Sequence, residues 1–394
     1  MSPQPLGAAV LVLGLALATM PAAGAQERGP ADTPQAVLQA AIDQLGDLDY
    51  DTRMNAARTV RRTAGALAVP ALVAAYESHG DSYVRFRALV LLTGFTDPRI
   101  DDAMVAAAAS PHDRLREVAY GYFEHRPAPA LVPQLLKALD AEEGEFVRPA
   151  LVRALAASGD DPAVRQALLR DVMRGADFFR GTVIEALGDY KWPDALAPIT
   201  EVAKLDGPLQ DDAAVALGKI GDKGALETLA ALQRTAVREH QPAIAAAICL
   251  LGVNCSSHLG YLRRTLEFAD RNPGYQELLR GAAAGLGAIA VGGNAEALHA
   301  LLDVGIPSQD PVRAPIALAL GLVALRNTPL MLAELERHPG RTDAISLLAE
   351  GFDMLEEDLE EEQFFVAVRR AYWAAAEGSP TRAVAEELIT ALHF

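Results

Sequence analysis

Asp81, Asp113, Glu145 and Asp177 stand 32 residues apart, and each is followed three or four residues later by an arginine, Arg85, Arg116, Arg148 and Arg180. An acid–arginine pair returning at a fixed interval means that one supersecondary unit has been copied along the chain. A period of 20 to 50 residues is the mark of a solenoid or array, in which each unit buries its apolar face only against its neighbours. This replaces the two or three globular domains that 394 residues would otherwise suggest.

The units are helical. Apolar residues recur at helical spacing, as in Leu131, Leu135, Leu136 and Leu139, and no alternating strand pattern is present. Each unit reads as a first helix, a Gly/Asp/Pro turn and a second helix. Asp97-Pro98 and Asp161-Pro162 mark starts of second helices, and Pro70 is read as another. Before the array, Asp32-Thr33-Pro34 predicts a capping helix with Thr33 as N-cap, running to about Leu45 and ending at Gly46. The pair is missing from the sixth and seventh units, where Leu209 and Asp212 occupy the columns of the sixth. It returns as Glu277/Arg280 and Asp310/Arg313, and a degenerate tenth unit begins near Arg341. An acid at a helix start can cap free N–H groups, and an arginine one turn on can reach a neighbouring unit's acid. The expected division is a signal peptide over 1–25, a capping helix over 26–50, the repeat array over 51–340, and a degenerate repeat with a cap over 341–394.

The segments Asp81-x-x-Val84-Arg85-x-x-Ala88 and Asp310-Pro311-Val312-Arg313, with Leu-Gly pairs at 187–188, 217–218 and 286–287, resemble HEAT repeats. They are most similar to the short units named after phycobilisome (PBS) lyases. The resemblance covers about residues 50 to 340. It implies an all-α, right-handed solenoid of helix pairs with second helices lining the concave face. It also implies a scaffold or adaptor role, or, in fewer members, bilin handling.

Net charge is −17, and only five of the 35 basic residues are lysine. Such a chain is a poor nucleic-acid binder, because phosphate neutralisation needs clustered basic residues. Leu6 to Met20 is an uncharged apolar run followed by Ala23-Gly24-Ala25 before Gln26. That pattern predicts export to the periplasm or beyond, with no membrane insertion after cleavage. In an oxidising compartment Cys249 and Cys255 are candidates for a disulfide.

No catalytic, cofactor or metal site is expected. The eight histidines include no pair three or four residues apart, and Gly285-x-Gly287 falls in a helical stretch where close packing explains it. The acidic run Glu356–Glu362 reads as a solvated helix face forming a polar terminal cap. The expected function is a non-catalytic scaffold holding a protein or peptide partner. Tyr261, Arg263 and Arg264, a basic–aromatic cluster in an acidic chain, are the candidate contact residues. A bilin-lyase-like protein and a self-assembling envelope component are the alternatives.

Overall fold

The computed structural model describes residues 29–394 other than Pro273 and Glu356; the apolar N-terminal run and its cleavage site lie outside the described residues. The fold is an α-solenoid. A single helix, α1 (Gln35–Asp43), precedes the array. Helix pairs follow: α2 (Tyr50–Arg61) with α3 (Gly65–Ser78), α4 (Ser82–Leu92) with α5 (Pro98–Ala108), α6 (Asp113–His125) with α7 (Val132–Ala141), and α8 (Val147–Ala157) with α9 (Pro162–Asp171). The series continues with α10 (Asp177–Asp189) and α11 (Leu196–Ala203), α12 (Gln210–Ile220) and α13 (Leu226–Thr235), and α14 (Gln241–Leu250) and α15 (Cys255–Asp270). It ends with α16 (Gln276–Val291) and α17 (Ala295–Gly305), then α18 (Arg313–Arg326) and α19 (Thr328–Arg337). Three further helices close the chain: α20 (Arg341–Phe352), α21 (Asp358–Ala374) and α22 (Pro380–Ala391). Among the described residues there is no strand, only an isolated bridge between Ala31 and Thr63, and no single helix is long and apolar enough to cross a membrane.

Helix starts follow the turn chemistry. Asp97 and Asp161 cap α5 and α9 with their carboxylates on the N–H groups of Arg99 and Ala163, and Pro98 and Pro162 occupy the first turn. Two expected starts are displaced. Pro70 lies inside α3, which begins at Gly65 after the backbone of Ala31 and Ala64 has joined the two segments. Thr33 does not cap α1; its hydroxyl bonds Thr63 Oγ1 at 2.7 Å.

The two helical layers pack differently. From α6 to α20 successive first helices touch along their length, whereas successive second helices meet at few points. Helices on the inside of a curved stack converge and those outside splay, so the first helices form the inner, concave layer. This reverses the arrangement that the HEAT resemblance implied. The Leu-Gly pairs serve the inner layer. They are not helix ends: a Cβ on Gly218 would lie 2.6 Å from the Ala247 Cα of α14, and one on Gly188 would lie 2.8 Å from the Ala216 Cα of α12. Backbones approach there too closely for any side chain.

The apolar interior forms two contiguous clusters, one from α1 to α14 and one from α14 to the C-terminus. Helix α21 joins them. Its Phe364, Phe365, Val368 and Tyr372 belong to the second cluster, while its Leu359 is buried in the first. It packs against α4, α6 and α18, all inner helices, and so crosses the concavity and ties the last units to the early ones. The reading of the acidic run as a solvated cap is therefore corrected. Glu360 and Glu362 are buried, and Glu362 faces Arg61 from 301 residues away.

Candidate functional site

The repeated arginines turn mostly backward, onto carbonyls that end the preceding helix. Arg53 donates to the carbonyls of Asp47 and Leu48, Arg148 to those of Leu139 and Glu142, Arg180 to Val172, and Arg313 to Gly305 and Ile306. The last carbonyls of a helix have no partner within it, and a guanidinium satisfies them while matching the negative end of the dipole. Units six and seven do the same with amides: Gln210 donates to Ala203 and Leu205, and Gln241 to Gln233 and Ala236. The acids play a smaller part. Asp81 caps α4, while Asp113, Asp177 and Glu277 pair with Arg116, Arg180 and Arg280 of their own helices at 2.7–2.9 Å. Glu145 and Asp310 are exposed ahead of α8 and α18, and Arg85 lies in its column beside Tyr76 and Glu77. The reach to a neighbouring unit's acid occurs at Arg313, which holds Glu350 of α20 at 2.6 Å.

Tyr261, Arg263 and Arg264 sit on α15, a second helix, and hence on the outer layer. Arg263 is already engaged by Glu267 at 3.0 Å and Asp303 at 3.1 Å. Tyr261 packs its ring on the C-terminal core. The structure does not bring this cluster to the concave face. Cys249 at the end of α14 and Cys255 at the start of α15 are joined by a disulfide across the intervening turn.

Two clusters hold residue types that ligate metals. His299 donates or accepts at Glu334 (2.9 Å) and faces Asp303 at 3.5 Å, with His338 alongside. Glu124, His125 and Glu360 form the other. In both, protein groups already occupy the ligand atoms: Arg263 holds Asp303, the Gly340 N–H donates to His338 Nδ1, and Arg153 grips both oxygens of Glu124.

The feature with the most binding character is the space that α21 leaves in the concavity. A groove of about 950 Å³ runs between the inner helices α2, α4 and α6 on one side and α20, α21 and the C-terminal residues on the other. A second space of about 490 Å³ continues it toward α8, α10 and α18, sharing Phe86, Glu117, Phe146 and Asp358. Large apolar side chains stand open along it. Tyr50 is 52% exposed, Phe146 76% and Phe178 50%, with Tyr83 and Met354 also open. Phe146 and Phe178 lie 32 residues apart and Tyr50 and Tyr83 lie 33 apart, so the row follows the repeat at the inner-helix N-termini. That period was the signal by which the sequence could have given the row away.

Charge in the groove is arranged by α21. Arg61 takes both oxygens of Glu362 at 2.7–3.0 Å with both side chains buried, and Arg87 pairs with Asp358. Deeper, Lys219, Asp189, Arg153 and Glu124 form a chain at 2.6–2.9 Å, and Arg326 of α18 approaches Glu124 at 3.6 Å and Glu360 at 3.8 Å. Burial works against the Asp189 carboxylate, but Lys219 and Arg153 outweigh it and hold it below the usual range. Glu117 and Glu361 have the opposite fate. Burial first, then the negative charge of Asp358, pushes Glu361 up to about 8 and Glu117 up to about 7. Among the described residues neither has an ion-pair partner.

No family model and no curated protein matches the chain. Among solved structures it is similar to the Escherichia coli protein YibA, with 19% identity, 56% of this chain and 82% of that one covered, and a TM-score of 0.41. It is also similar to importin β (13% identity, 90% and 57% covered, TM-score 0.37) and to Kap121p bound to RanGTP (14% identity, 89% and 44% covered, TM-score 0.42). The chain thus spans about half the length of these two proteins. At such identities and scores the likeness carries no argument about function, and the solenoid is read from this chain's own helix pairs.

Proposed function

We propose that the chain is a non-catalytic scaffold that takes a protein partner in the groove of its inner face. The observation that supports this is the row of open aromatic side chains, Tyr50, Tyr83, Phe146 and Phe178, on the walls of that groove. Large apolar side chains left open together mark interaction surfaces, and aromatic residues are favoured where interface energy concentrates. The groove is held between rigid helices, so little ordering entropy opposes binding. This moves the contact surface from the outer cluster Tyr261/Arg263/Arg264 to the inner layer.

We further propose that the protein acts outside the cytoplasm. The support is the apolar run Leu6–Met20 with its small-residue site before Gln26, together with the bridged cysteines. Kinship with the lyase-type short repeats rests on the repeat segments alone.

A photo-reactive benzoylphenylalanine placed at Phe146 or Phe178, and separately at Tyr261, tests the surface. In the native host, an adduct to another protein is expected from the two groove positions and not from Tyr261. Adducts from Tyr261 alone would overturn the inner-face assignment.

A further inference from the structure

The lining of the groove combines two chemistries. Open aromatic side chains share it with the acids Glu117, Asp353, Asp358 and Glu361. The arginines that share the lining are engaged. Arg61 is bound to Glu362, Arg87 to Asp358, and Arg53 to the carbonyls of Asp47 and Leu48, and the Arg114 guanidinium lies over the Phe86 ring at 5.3 Å. Among the described residues Glu117 and Glu361 form no ion pair of their own, and the nearby arginines, Arg114 beside Glu117 and Arg87 and Arg61 beside Glu361, are engaged by those other groups. The neighbouring space adds Glu145 and Glu357 to the acidic side. Half-buried carboxyls without an ion pair of their own, beside aromatic faces, are complementary to a positive side chain, which gains both a charge partner and a ring quadrupole.

We propose that the groove admits a basic segment of the partner protein, whose lysine or arginine side chains enter between Glu117 of α6 and Glu361 of α21 while its apolar residues rest on Tyr50, Tyr83, Phe146 and Phe178. This rests on the protein-binding reading above. The acid excess of the whole chain would steer such a segment toward the molecule, and the groove joins charge to aromatic contact. The two carboxyls are costly as lone charges: Glu361 is raised to about 8 and Glu117 to about 7. The charged groups facing Glu361 are Asp358, Glu357, Arg87 and Arg61, and Asp353 and Tyr50 lie in the same groove; those facing Glu117 are Asp358, Glu357, Glu360 and Arg114. An entering cation favours the ionised forms, so binding near neutral pH releases protons.

The test uses residues 26–394 and a fluorescein-labelled peptide of four Lys-Phe-Gly repeats, with the Glu-Phe-Gly counterpart as control, at physiological salt. The lysine peptide is expected to bind and the glutamate peptide not. E117Q/E361Q should weaken binding about tenfold or more, while E227Q/E296Q, the same charge loss on exposed outer positions, should change it less than twofold. Calorimetry in buffers of different ionisation enthalpy should show net proton release that E117Q/E361Q abolishes. Equal weakening by both double variants, binding of both peptides alike, or no proton release would overturn the proposal. Loss of affinity capture of the native partner by F146A/F178A with no loss by E117Q/E361Q would keep the groove as the partner surface and overturn only the basic class of the segment.

Discussion

Replacing Arg61 with alanine tests the way the molecule is closed. Arg61 and Glu362 are 301 residues apart, with side chains only 3% and 2% exposed, and three nitrogen–oxygen contacts of 2.7–3.0 Å join them. The guanidinium also lies over the Phe365 ring at 5.0 Å. Arg61→Ala leaves the Glu362 carboxylate in an interior from which water is excluded. Breaking one side of a buried pair costs about 3–5 kcal/mol, much of it the desolvation of the stranded charge. Arg61→Met with Glu362→Leu removes both charges and should restore most of that loss, because an apolar pair of similar volume is often neutral. Urea unfolding followed by far-ultraviolet dichroism gives the overall change. Repeat arrays can depart from two-state behaviour, so hydrogen exchange supplies the local one. Amides of α21 should lose protection in Arg61→Ala while those of α12 keep theirs. A cost below about 1 kcal/mol, or unchanged protection in α21, would refute the buried cross-brace.

Three further outcomes are expected. Burial raises Glu361 to about 8 and Glu117 to about 7 from the ordinary glutamate value of 4.5, so the folded state holds their protons more tightly than the unfolded state does. Their contribution to stability is therefore full below about 4.5 and is lost as pH rises to about 8; melting should fall between about pH 4.5 and 8 in wild type and stay flatter in E117Q/E361Q, by a difference on the order of 1–3 kcal/mol after discounting for solvent screening. Gly218→Ala puts a methyl group against the α14 backbone, so it should cost about 1–3 kcal/mol in urea unfolding despite alanine's better helix propensity; a gain in stability would contradict the close approach. Thiol titration of protein from its native source should give no reaction until reductant is added, and two free thiols in the unreduced chain would contradict the Cys249–Cys255 bridge.

The helical units were legible because their causes are local. Asp97-Pro98 and Asp161-Pro162 carry a cap and a fixed φ in two residues, and the 32-residue period marks where each copy begins. The layer that faces inward was not legible. A strict alternation of first and second helices reads the same whichever layer is concave, and it is the packing of α21 on α4, α6 and α18 that places the first helices inside. The arginine column was visible, but its partners are carbonyls, which leave no trace in side-chain identity; hence Gln210 and Gln241 looked like losses although they do the same work. The acidic run misled because six acids in seven residues, interrupted only by Leu359, look solvated by composition. Their partners Arg61, Arg87 and Arg326 lie far away in sequence or on another helix, and only the closed fold brings them together.

The most direct measurement is affinity capture from the native source with three forms of residues 26–394: wild type, F146A/F178A on the inner groove, and R263E/R264E on the outer layer, each shown to be folded by its melting curve. A protein retained by wild type and by R263E/R264E but lost from F146A/F178A is the predicted result. Retention by F146A/F178A with loss from R263E/R264E would contradict the inner-face account and return the binding surface to α15.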